Sequence, residues 1–277
     1  MGLSVNTNVA ALNAARNLTT TQGNLSKSLE KLSSGFRINR AADDAAGLAI
    51  SEGMRSQMGG IKVGVRNAQD GISVVQTAEG ALNETHSILQ RMRDLTVQAA
   101  NTGSLTPEAS KNIQAELAAL TGTVDDIATN TKFNGQALLD GSYAAKDFQV
   151  GANNLEKVSV TIGDMKSTTI LGTALTALDG TQDNATIMAN VAKIDTAIAT
   201  VSTERAKLGA TQNQFEHVIN NANVALENVT ASESRIRDTD MAATMVDFTK
   251  SQILSQAGTA MLAQAKSLPQ DVLKLLQ

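Results

Sequence analysis

The chain has 277 residues, enough for one or two compact domains at roughly 150 residues each. Its 23 Lys and Arg against 27 Asp and Glu leave a formal net charge of −4, which argues against nucleic acid as a partner, because that needs a basic footprint. Cys and Trp are absent, with five Phe and one Tyr, so disulfides, thiolate metal sites and cysteine nucleophiles are excluded and a helical core of aliphatic side chains is expected.

Residues 1–15 have neither the charged front nor the apolar stretch of a secretory signal, so export would need another route. Val5, Val9 and Leu12 form a loose apolar row, followed by a stripe at Leu25, Leu29, Leu32 and Phe36. The longest apolar run, residues 45–50, is far short of the roughly 20 residues of a membrane span, and no membrane insertion is expected. From Met54 the series Met58, Ile61, Val65, Ala68, Ile72 and Val75 steps by three and four, as one face of a helix does. It then drifts to Ala81, Ile88, Met92, Leu95 and Ala99. Thr106, Pro107 and Glu108 open a second helix as cap, first residue and acidic first turn, with a stripe at Ile113, Leu117, Leu120, Val124 and Ile127.

Between the helices, Phe133-Asn134-Gly135 and Asp140-Gly141 are turn signals. Phe148 and Val150, then Val158, Val160 and Ile162, alternate with polar residues, so a hairpin with residues 151–157 as its connection is expected. A four/three rhythm then holds from Ile187 to Ile236, broken only by Arg205, Gln212 and Glu233. One helix there would run on the order of 75 Å at 1.5 Å per residue, which suits a rod-shaped bundle, with Gly209 its weak point. At the back, Leu254, Met261, Leu268 and Leu275 repeat every seven residues. Both ends are amphipathic helices with too little mass to form their own globule, so their apolar faces need a partner.

Chemistry-bearing motifs are sparse. His86 and His217 have no second His at helical spacing, and no phosphate-cradling loop, zincin signature or serine elbow appears. Asp43-Asp44 and Asp125-Asp126 do not face one another on a helix; Asp43 is read as the cap of the helix that begins there. No catalytic residue, metal or cofactor is expected.

Residues 32–39 (LSSGFRIN) and 42–50 (ADDAAGLAI) resemble bacterial flagellin, as do 67–73 (NAQDGIS), 77–84 (TAEGALNE), 149–153 (QVGAN), 234–240 (SRIRDTD) and 252–258 (QILSQAG). The resemblance covers nearly the whole chain and lacks the variable middle insertion, which identifies a short, core-only form. It implies a mainly α fold: an elongated bundle of long helices with a small β-hairpin region about 133–183 and an inner coiled-coil layer of the terminal helices. Residues 1–42 with 237–277 would line a filament channel and 43–236 would form an outer rod, joined by a spoke with Gly35 as helix stop.

The implied function is a secreted, extracellular subunit that polymerises into the flagellar filament for swimming, exported unfolded and folding its ends on assembly. Self-assembly would fall to Leu25, Leu29, Leu32, Phe36, Leu254, Met261, Leu268 and Leu275. Arg91, Leu95 and Glu116 match a segment read by a host innate immune receptor and would also serve an axial contact between subunits. Implied partners are the chain itself, the export apparatus and a secretion chaperone, the filament cap and hook-associated proteins. A hook–filament junction protein and a cytoplasmic coiled-coil scaffold stand as alternatives.

Overall fold

A computed structural model describes residues 8–172, 175–178 and 182–275, with side chains through residue 267. Val5 and the side chains of Leu268 and Leu275 lie outside the described residues. The elements are α1 (Val9–Ser34), α2 (Ala45–Ala99), α3 (Pro107–Asn130), β1 (Lys132–Phe133), β2 (Gln136–Ala137), β3 (Lys146–Gln149), β4 (Lys157–Val160), α4 (Ser167–Ile170), α5 (Asn184–Arg237) and α6 (Met241–Leu275). The fold is mainly α, with long helices and two short antiparallel strand pairs. The chain divides into two units, Met58–Leu226 and Met1–Gln57 with Glu227–Gln277.

Within Met58–Leu226, local chemistry sets the start of α3 and the turn at Asn134-Gly135 as expected. Val150 and Ile162, by contrast, lie outside the hairpin strands, and Lys157, expected in the connection, begins β4. The Thr106 side chain accepts from the Ala109 N–H at 3.3 Å and Pro107 takes the first helical position of α3. Asn134 and Gly135 both have positive φ (48° and 80°), the requirement of the two-residue turn between β1 and β2. β3 pairs with β4 from Lys146 opposite Val160 to Gln149 opposite Lys157, and Val158 and Val160 are buried. The Asp125 carboxylate caps α4, accepting the Ser167 N–H and hydroxyl at 2.8 Å each.

The drift expected along α2 does not occur. Its buried seam runs through positions 61, 64, 68, 71, 75, 78, 82, 85, 89, 92, 96 and 99, in unbroken steps of three and four. Counting apolar residues alone skips four of these, Gly64, Gly71, Thr85 and Thr96. Leu82 and Leu89 are therefore fully buried, while Ala81 and Ile88 sit beside the seam. Each skipped residue has a physical reason to be there. A Cβ on Gly64 would lie 2.4 Å from the Val150 carbonyl oxygen, and one on Gly71 would lie 2.6 Å from the Phe215 ring. Thr85 and Thr96 turn their hydroxyls back onto the Ala81 and Met92 carbonyls (3.1 and 2.7 Å), so neither buried hydroxyl is left unpaired.

α5 continues unbroken through Gly209, as the long rhythm predicts. All fifteen positions of that rhythm are buried or half-buried, with Ile187, Val191, Ile194, Val201, Leu208 and Phe215 deepest. Phe215 meets Phe148 edge-on at 5.6 Å, joining α5 to the hairpin. Glu204, beside the break at Arg205, is buried; it accepts the Gly163 N–H at 3.0 Å and pairs with Lys207. The buried Asn190 side chain holds Thr176 through both backbone groups.

Candidate assembly surface

The other unit is built on the pairing of α1 with α6. Gly35 ends α1 at φ 75°, its N–H donating to the Lys31 carbonyl at 2.8 Å, so the expected helix stop is present. The chain then runs beside the α5–α6 link. The Arg37 N–H donates to the Arg237 carbonyl (2.6 Å) and the Thr239 N–H to the Gly35 carbonyl (3.0 Å). The Arg237 guanidinium lies 5.0 Å over the Phe36 ring and donates to Glu52 at 2.6 Å. That hydrogen bond holds the Glu52 carboxyl below its ordinary value.

Asp43 does not cap α2. Its carboxylate is taken by the Arg40 and Asn39 N–H groups upstream (3.0 and 3.2 Å), which lower its pKa. The cap falls to Asp44, which accepts the Gly47 N–H at 2.9 Å, and α2 starts at Ala45. Behind it Ile38 is buried, close to where a Cβ on Gly47 would stand.

α6 presents two different rows. The row at Thr244, Phe248, Ser251, Ser255, Gly258 and Leu262 is buried or half-buried. Most of these residues are small, and a Cβ added to Gly258 would lie 3.3 Å from Leu18 of α1. The Asn8 amide ties the start of α1 to the Ala265 carbonyl at 2.7 Å. The other row faces outward: Leu254 is 49% exposed and Met261 65%, with Met245, Val246 and Ile253 exposed alongside. Met245, Val246, Thr249, Ile253 and Leu254 line one apolar groove together with Lys250. On α1, Leu25 and Leu32 are half-buried, Leu29 is 51% exposed, and no residue is fully buried. The expected stripe residues are thus divided between the α1–α6 pairing and the free face. Val246 and Ile253 were not singled out from the sequence; their seven-residue spacing beside Leu254 and Met261 was the available signal.

In the Met58–Leu226 unit, Arg91 and Glu116 join α2 to α3, with both guanidinium donors on one carboxylate oxygen at 3.0 and 2.7 Å. Both side chains stay largely in solvent. Leu95, expected with them, is 2% exposed, buried beside the α2 seam next to Thr96, so in this chain it offers no surface. His86 shares a hydrogen bond with Gln90, and His217 is exposed. Among the described residues no three His, Asp or Glu side chains are grouped to hold a metal. No helix among them is long and apolar enough to cross a membrane.

The class defined by these features is a long-helix protein that, among the described residues, carries an exposed apolar row on α6. The model of the bacterial flagellin N-terminal helical region matches residues 5–144, and that of the bacterial flagellin C-terminal helical region matches 191–276. The chain is 49% identical to a flagellin of Bacillus subtilis, covering 99% of this chain and 100% of that one. It is 48% identical to a flagellin of Halalkalibacterium halodurans, covering 99% of each. A solved putative flagellar hook-associated protein from Vibrio parahaemolyticus is similar in fold, with TM-score 0.60, 17% identity and coverage of 71% of this chain and 100% of that one. The chain belongs to the bacterial flagellin family. It is a structural subunit of the extracellular flagellar filament, not an enzyme.

Proposed function

We propose that residues 1–42 and 237–277 form the inner layer of the filament, with 43–236 as its outer rod, and that other copies of the chain cover the outward row of α6. One observation carries this reading: Leu254 and Met261 stay exposed although α6 is already paired with α1 through its other row. Water contact on such a row is costly, at about 25 cal/mol per Å² of apolar surface, and burial between copies removes that cost. Leu29 is likewise exposed on the partner helix. The contact is heterologous, and with an operator that does not return to its start it repeats without closing and gives a filament rather than a ring.

Coupling the ordering of the ends to assembly suits export of an unfolded chain, and a cysteine-free sequence cannot form disulfides on the way. A secretion chaperone would cover the apolar ends before assembly, and the export apparatus would carry the chain to the growing tip. The filament cap and hook-associated proteins would meet the same ends at the filament's limits. Arg91 and Glu116 form a charged surface for axial contact between copies and, in a host, for an innate immune receptor.

The test is Met261→Asp, with Met261→Leu as control. A carboxylate at this place in the outward row stays hydrated in the free chain and is desolvated in the polymer. The aspartate variant is expected to keep its helical circular dichroism and sediment as a monomer, while the leucine variant forms filaments visible by electron microscopy. Filaments of normal length from Met261→Asp would falsify the assignment.

A further inference from the structure

The tip of the β3–β4 hairpin carries a residue that its own fold does not explain. The Glu156 N–H donates to the Asn153 carbonyl at 3.3 Å, closing a four-residue turn in which Leu155 is third. Leu155 has φ 79°, the conformation a type II turn demands at that place and one usually given to Gly or Asn. A leucine there is strained, and its side chain is 80% exposed, more than any other exposed large hydrophobic residue described. The isolated chain gains nothing from either feature.

The same unit contains a place for such a side chain. A largely apolar groove of about 290 Å³ opens between α3 and α4, walled by Leu117, Ala118, Leu171 and Leu175 together with the polar Gln114, Thr121, Ser167 and Thr168. The four carbons of a leucine side chain fit within it, counting roughly 30 Å³ apiece, the share of a water molecule in the liquid. The hairpin tip cannot reach this groove in its own chain. The tip packs against α2 at Gly60, where an added Cβ would lie 2.7 Å from the Ala152 Cβ. The groove sits on α3 level with Arg91, through the Arg91–Glu116 pair. Those two levels of α2 are about 46 Å apart at 1.5 Å per residue.

We infer that Leu155 is a docking knob that inserts into the α3–α4 groove of a second copy displaced along the α2 direction. Knob and groove are different surfaces at separate levels of one helix, so the contact is heterologous, and because the copies are displaced along that helix it repeats without closing. It rests on the assembly reading above, adding an outer-unit contact to the one made by the chain ends. The strain is sustained because the side chain is used in the polymer.

Leu155→Gly separates this role from a folding role by sign. Glycine relieves the positive φ, so the free subunit is expected to melt at the same temperature as the parent or above it. Loss of the knob is expected to raise the critical concentration for seeded polymerisation about tenfold, as for one leucine deleted from the centre of an interface. Because the chain has no cysteine, Leu155→Cys with Ala118→Cys gives a second, direct readout. In oxidised filaments the pair is expected to link chains into a ladder on denaturing gels, which neither single variant does. Unchanged polymerisation of Leu155→Gly, a less stable free subunit, or intact filaments without a ladder would each overturn the inference. If these outcomes occur while Met261→Asp still abolishes filaments, the inference fails and the end-stripe reading stands. Normal filaments from Met261→Asp would remove that reading instead.

Discussion

Gly64 and Gly80 both lie within α2, and the same substitution is expected to move stability in opposite directions at the two sites. In an exposed helix interior, Gly→Ala gains about 0.5–1 kcal/mol, largely because the unfolded chain loses fewer conformations. At Gly80, which is exposed with nothing within 4 Å of an added Cβ, that gain should be realised. At Gly64 the new methyl would stand 2.4 Å from the Val150 oxygen, 2.5 Å from its carbon and 2.9 Å from the Gly151 nitrogen. All three are main-chain atoms at the end of a hairpin whose register is set by four residue pairs, so no side chain can swing away. Overpacking of a tight interface costs roughly 1–3 kcal/mol, and contact with fixed backbone belongs at the upper end. After the propensity gain, Gly64→Ala should lose about 1–2 kcal/mol. For a domain of this size that corresponds to a melting temperature lower by about 2–8 °C, against a rise of about 1–4 °C for Gly80→Ala. Thermal melts of depolymerised protein by far-UV circular dichroism make the comparison. If Gly64→Ala melts at or above the parent, the claim that α2 and the hairpin are fitted backbone to helix is refuted.

Three further outcomes are expected. Asp125→Ala strips the buried Ser167 of the acceptor for both its N–H and its hydroxyl, and should cost about 1–2 kcal/mol in a denaturant melt, with Asp125→Asn losing less. Glu52 has its pKa lowered by the Arg237 hydrogen bond, so its contribution to stability is fully present above its ordinary value of 4.5 and is lost as pH falls through the lowered folded value. An acid titration of stability should therefore flatten over that window in Glu52→Gln. Arg91→Ala breaks an exposed pair and should change the melting temperature of the free subunit by less than the equivalent of about 1 kcal/mol. A change in polymerisation beyond that, measured by sedimentation, would report a contact with another copy.

Local backbone chemistry was legible in the letters of the chain. The Thr106-Pro107-Glu108 start, the Gly35 stop, the Asn134-Gly135 turn and the unbroken rhythm of α5 all depend on neighbours within a few residues. The resemblance to flagellin likewise rested on contiguous runs. Tertiary contacts decided which residues form a seam. The α2 seam passes through Gly64 and Gly71 because a backbone and a ring approach there, and hydropathy gives no signal for a missing side chain. The same holds on α6, where periodicity marks Leu254 and Met261 as one face but cannot say what that face meets. Close approach to α1 selects the row of small residues around Gly258 and leaves the larger apolar row outward. A sequence determines which side chains share a helix face; only the packed structure determines which face is near enough to a neighbour to be used, because that depends on atoms hundreds of residues away.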